Sequence, residues 1–114
     1  MIQKLLPWVF LVALLAYFFL KRSGDLSVAQ AHELVARGAR LVDVRTQEEY
    51  SIGHIPGALN IPLHDLSSRL GELRPQEHPV ILYCRSGNRS QQAASLLRDA
   101  GFTAVHNLGA MSRW

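Results

Sequence analysis

The sequence has a single cysteine, Cys84, so no intramolecular disulfide and no thiolate cluster for zinc is available to it. A disulfide-stapled secreted scaffold and a structural zinc site are excluded. His32, His54, His64, His78 and His106 include no pair at the helical spacing of metal ligands, so no metal or other cofactor is expected. Aromatic residues make up 8% of the chain and are not interleaved with a basic stripe, which argues against a nucleic-acid surface. The formal net charge of +3 comes from Lys4, Lys21 and Arg22, because from Asp25 onward arginines and acidic residues balance. Repeats and low-complexity tracts are absent. A chain of 114 residues has room for one compact domain and a short appendage.

The appendage is the run LLPWVFLVALLAYFFL, Leu5 to Leu20, which carries no charge. As a helix it extends roughly 24 Å, just short of a full bilayer span. Lys4, Lys21 and Arg22 can snorkel from its ends, Trp8 and Tyr17 suit the two interfaces, and Pro7 lies in the first turns, where a missing N–H does least harm. A cleaved signal peptide would end at a small-x-small site, whereas Phe18, Phe19 and Leu20 lead straight into Lys21 and Arg22. The sequence therefore predicts a single-pass anchor with its flanks over 1–22, a linker over 23–26 and a domain over 27–114. Lys21 and Arg22 oppose Lys4 and the terminal amine, and the balance leans toward a cytoplasmic domain.

Beyond the linker, helical and strand patterns alternate, the signature of an α/β fold. Ser27 is placed to cap a helix with Val28, Ala31, Leu34 and Val35 on one face and Gly38 at its end. A buried strand, Leu41 to Val44, follows, and then Thr46 and Glu49 form a capping-box pair for a short helix ending near Gly53. Ala58 to Ile61 reads as a strand and His64 to Leu73 as a helix. Val80 to Tyr83 is continuously apolar, as a strand covered on both faces would be. Ala93, Leu96, Leu97 and Ala100 share one face of a last helix that Gly101 ends, and Thr103 to His106 is the expected final strand.

Cys84 stands where the central strand gives way to the segment RSGNR and a helix N-terminus. In a parallel sheet that edge binds ligands. Amide hydrogens at a helix start carry partial positive charge, and Gly87 lets the loop curl so that several converge. A thiolate held there, with Arg85 and Arg89 beside it, has a depressed pKa and is the nucleophilic form. The competing role for Cys84 is that of a small hydrophobe closing an apolar strand.

Three segments carry a family resemblance: LVDVRTQEEYSIGHIPGALNIP from Leu41 to Pro62, YCRSGNRS from Tyr83 to Ser90, and NLGAMSRW from Asn107 to Trp114. On these the chain resembles a single-domain rhodanese. The third segment departs from the family pattern, with Gly109 and Ala110 where a Gly-Gly pair is common. The resemblance implies a three-layer domain with a central, mostly parallel sheet flanked by helices, here preceded by one transmembrane helix. It also implies sulfur transfer, in which Cys84 takes a sulfane sulfur from thiosulfate or another donor, becomes a persulfide, and passes the sulfur to a thiol or cyanide-like acceptor. Substrate binding would fall to the loop residues Arg85, Ser86, Gly87, Asn88 and Arg89. Asp43 and Arg45 would support the loop edge, where hydrogen bonds bracing the fold are their more ordinary role. Glu49, Tyr50 and Trp114 read as cap and packing residues, and His54 as structural.

Two other functions share parts of this pattern. Phosphatases and arsenate reductases on related folds use a C-x5-R loop, but Cys84 and Arg89 are separated by four residues and the loop holds no acid to serve as proton donor. A noncatalytic sulfide-sensing or interaction module at the membrane would keep the fold without turnover, against which stand the intact Cys84, Arg85, Gly87 and Arg89.

Overall fold

The computed structural model describes residues 7–16 and 25–114. Residues 7–16 are helical (α1), and the anchor expected over Leu5 to Leu20 reaches at both ends into residues outside those described. Among the described residues, no helix is long and apolar enough to cross a membrane.

From Ser27 the chain follows the capping and apolar spacing of its sequence. Ser27 Oγ accepts from the Gln30 N–H while Gln30 Oε1 accepts from the Ser27 N–H, and this reciprocal box opens α2 (Val28–Ala36). Strand β1 (Arg40–Asp43) leads to α3 (Gln47–Ile52), which Thr46 and Glu49 cap by a second reciprocal box. Strand β2 (Leu59–Asn60), β3 (Val80–Cys84), α4 (Asn88–Asp99) and β4 (Val105–Ala110) complete the alternation. All four strands are parallel, in the order β2-β1-β3-β4.

That order creates a switch point. From β1 the chain crosses to β2 on one side, and from β3 it crosses to β4 on the other, so the carboxyl ends of β1 and β3 border a crevice, the place where open α/β sheets bind ligands. Cys84 is the last residue of β3.

The sheet has a core on each face, which makes the domain three layers deep. Alternation along β3 sends Val80, Leu82 and Cys84 toward Ala93, Ala94 and Leu97 of α4, with Leu66 and Leu73 beside them. Ile81 and Tyr83 point the other way, toward Ala31 of α2, Ile55 and Leu108, with Trp114 against the edge of that cluster. Every residue of β3 is buried, as its continuous apolar run requires.

Three expectations change. The helix expected from His64 to Leu73 is two 3-10 turns, Leu63–Ser68 and Leu70–Leu73. Pro62 provides no side-chain cap, Ser68 Oγ turns back onto the Asp65 carbonyl at 2.9 Å, and Gly71 weakens helix propagation, while Leu66 and Leu73 still reach the core. The last strand is Val105–Ala110 rather than Thr103 to His106, because β3 extends to Cys84 and pairs Tyr83 with Gly109 and Cys84 with Ala110 after a register shift. Polar His106 and Asn107 and the glycine at 109 hide that strand from any periodicity argument. Asp25 and Leu26, expected in the linker, belong to the domain: the Asp25 N–H donates to the Asn107 carbonyl, Asp25 Oδ1 accepts from the Asn107 N–H at 2.7 Å, and Leu26 is buried.

One buried ion pair braces the crevice. Asp43 is fully buried at the end of β1 and accepts from the Arg45 backbone N–H at 2.9 Å, from Arg45 Nε at 3.0 and 3.1 Å, and from Arg45 Nη2 at 2.7 Å. Arg45 Nη2 also donates to the Gly53 carbonyl at 2.7 Å, tying the end of α3 to the sheet. Breaking such a pair leaves a buried charge without its partner. Asp43→Ala is expected to lower the unfolding free energy by about 3–5 kcal/mol in urea titrations, and Asp43→Ala combined with Arg45→Met by less than Asp43→Ala alone.

Candidate active site

Cys84 ends β3 with its side chain on the α4 face, and the next three residues turn the chain into α4. Gly87 is the residue just outside that helix, at φ 98°, a left-handed conformation that costs glycine nothing. A Cβ there would also lie 3.5 Å from Gly109 Cα, so the loop packs closely on β4. This curl aims amides at the sulfur. The Gly87 N–H donates to Cys84 Sγ at 2.9 Å and the Ser90 N–H at 3.4 Å.

Ser90 adds a hydroxyl to the cradle. Its Oγ lies 3.5 Å from Sγ and donates to the Gly87 carbonyl at 3.1 Å, so it accepts from a protonated thiol and can turn its hydrogen toward a thiolate. Burial pushes the Cys84 pKa up, but the Ser90 hydroxyl and the amides of Ser90, Gly87 and Ser86 outweigh it, and the thiol is held below its ordinary value. The anionic form is the one the loop favours.

The remaining loop residues differ in what they touch. Cys84 is wholly buried, whereas Arg85, Ser86 and Asn88 are exposed. Arg89, in the first turn of α4, is turned toward Glu49 of α3: its Nη1 donates to Oε1 at 2.7 Å and its Nη2 to Oε2 at 3.0 Å. That guanidinium, opposed by burial and helped by the Thr46 cap bonds, brings the Glu49 carboxyl down to about 2. Beside Arg89 opens a hollow of about 320 Å³ lined by Val44, Thr46, Pro62, Leu63 and His64.

Of the residues expected at the site, Cys84, Gly87 and the Ser86 amide meet at the sulfur. Asp43 and Arg45 pair with each other and Gly53 instead, one step back in the fold. Two participants were not assigned there from sequence. Ser90 ends the segment YCRSGNRS, and its placement in the first turn of α4, six residues after the cysteine, is the available signal. Glu49 caps α3, as its place three residues after Thr46 predicts, but its bond to a residue forty positions away has no local signature. His54 stacks on Tyr50 and its Nδ1 lies 2.8 Å from the Tyr50 carbonyl, a structural role. Among the described residues, no group of three or more His, Cys, Asp or Glu side chains is placed to hold a metal ion.

Ser90→Ala keeps both amides and removes the hydroxyl, one of the groups that lowers the Cys84 pKa, so the ultraviolet titration midpoint of the thiolate is expected to move up relative to the wild type.

Comparison with known proteins places this geometry. The family model of the rhodanese-like domain matches residues 27–114. The chain is 47% identical over 79 residues to the uncharacterized protein YqhL of Bacillus subtilis, a match covering 68% of this chain and 62% of that protein. Identity to thiosulfate sulfurtransferase 16, chloroplastic, of Arabidopsis thaliana is 39% over 107 residues, covering 80% of this chain and 86% of that one. The solved human single-domain sulfurtransferase TSTD1 superposes with a TM-score of 0.69 at 35% identity, covering 78% of this chain and 92% of the human one. With a four-stranded parallel sheet, a cysteine at its switch point and relatives of this kind, the chain belongs to the rhodanese-like sulfurtransferase family.

Proposed function

We propose that this protein moves a sulfane sulfur from thiosulfate or a similar anionic donor to a thiol or cyanide-like acceptor through a persulfide on Cys84. The observation that carries the reading is the pair of amides directed at Sγ, because a site built to hold negative sulfur suits both the thiolate that attacks and the persulfide that results. The Cys84 thiolate attacks the outer sulfur of thiosulfate. A bond from Sγ to that sulfur forms, the sulfur–sulfur bond of thiosulfate breaks, and its electron pair leaves with sulfite. A nucleophilic acceptor then takes the outer sulfur and returns Cys84 as thiolate, the two-step pattern of covalent catalysis. Neither step needs a proton, which fits a loop without an acidic side chain. Because Cys84 has no exposed surface, a donor reaches it when the exposed stretch Arg85–Ser86 gives way, with Gly87 as the pivot.

Tethering to a membrane through residues 5–20, with the domain on the cytoplasmic side, is the second part of the proposal. In its support, Trp8, Val9, Phe10 and Val12 of α1 expose more than half of their surface, and no charge interrupts the run.

Thiosulfate treatment followed by intact-mass measurement is expected to add one sulfur atom to the wild type and none to Cys84→Ala. An unmodified wild-type thiol would turn the reading toward a noncatalytic binding module. In sealed vesicles bearing the full chain, added protease is expected to digest the domain when the cytoplasmic face is outward and to spare it in the opposite orientation. Recovery of the whole chain in the soluble fraction would end the membrane proposal.

A further inference from the structure

Arg85 and Arg89 bracket the loop in sequence, yet their side chains stand in different electrostatic situations. Arg89 gives a nitrogen to each oxygen of the Glu49 carboxylate, a fork-to-fork pair. Glu49 is itself fixed, since its Oε1 also accepts from the Thr46 N–H and the Thr46 hydroxyl, both at 3.1 Å. Four hydrogen bonds therefore hold this carboxylate in place, with two-thirds or more of each side chain of the pair withdrawn from water. Arg85 is exposed, and no side-chain hydrogen bond or ion pair joins it to another described residue.

A cation in direct contact with a fixed anion acts at a distance as a dipole, whose field falls off faster than that of a lone charge. An approaching dianion thus meets one uncompensated cation at this loop. The best donors of Arg89 are also already used, so binding the anion through them would require breaking the pair.

Resting on the sulfurtransferase reading above, we propose that Glu49 is a positioning residue that withdraws Arg89 from donor recognition and leaves Arg85 as the cation that selects an anionic sulfur donor. Arg89 instead joins the first turn of α4 to α3 through that carboxylate. The hollow beside it is walled largely by Val44, Pro62 and Leu63, a surface for the uncharged body of an acceptor.

The test compares two donors that offer the same outer sulfur but differ by one charge, thiosulfate and the methanethiosulfonate monoanion, with one fixed thiol acceptor and the full chain. The measured quantity is the ratio of kcat/KM for the dianion to that for the monoanion, at low and high salt. Arg85→Ala is expected to lower this ratio roughly tenfold, mostly through KM for thiosulfate, and to remove most of its salt dependence. Glu49→Gln is expected to raise the ratio by about threefold or more, with kcat changing less than about twofold, because Arg89 regains a net charge. The double variant should recover part of the preference lost in Arg85→Ala, which a merely structural Glu49 could not produce. If Arg85→Ala leaves ratio and salt dependence intact, or if Glu49→Gln lowers kcat/KM for both donors alike, the proposal is overturned. Should Glu49→Gln fail to fold, Arg89→Gln replaces it, and an unchanged donor ratio in that variant supports the withdrawal of Arg89 whereas a ratio lowered as far as in Arg85→Ala overturns it. A wild type that gains no sulfur from either donor defeats the sulfurtransferase reading itself, a result distinct from an unchanged donor ratio in an active enzyme.

Discussion

The contact on which the proposed chemistry of this molecule depends is the approach of the Gly87 and Ser90 amide hydrogens to Cys84 Sγ. A sulfur buried in an apolar core would hold its proton, since desolvation penalises the anion. Here the same burial is answered by the N–H groups of the loop and of the first turn of α4, which already point at the sulfur. Preorganised donors of this kind stabilise charge without paying for reorganisation at the moment of reaction.

Much of the surrounding structure can be understood as holding that contact in place. Gly87 supplies the left-handed turn and packs on Gly109, and β4 extends far enough to pair Ala110 with Cys84. The Asp43–Arg45 pair fixes the end of the neighbouring strand and, through Gly53, the end of α3. From the start of α3, Glu49 reaches across to Arg89. Two ion pairs thus frame the crevice at different depths. The buried one carries a large penalty if broken, while the half-exposed one tunes charge more than it adds stability.

Local rules accounted for much of this. Both capping boxes, the helix Val28–Ala36 and the apolar strand Val80–Cys84 follow from side chains within a few residues of one another. The curl of the loop around Cys84 was legible for the same reason, since strand, cysteine, glycine and helix start are contiguous. Where the reading went astray, the deciding forces were distant or weak. Leu63, Leu66, Leu70 and Leu73 fit a helical stripe, but the uncapped start at Pro62 and the Ser68 back-bond left only 3-10 turns to bury them. The strand at Val105–Ala110 exists because β3 offers a partner for its backbone groups, not because its own side chains alternate.

The sequence by itself determined the alternation of helices and strands, the single cysteine and the loop that curls around it, because capping, periodicity and glycine placement act over a turn or two of chain. Only the tertiary structure decided that Ser90 completes the cradle, that Asp43 is consumed by Arg45, and that Glu49 neutralises one of the two loop arginines. Charge pairing depends on distance in space, and residues 49 and 89 become neighbours only after the parallel sheet brings the start of α3 to the first turn of α4.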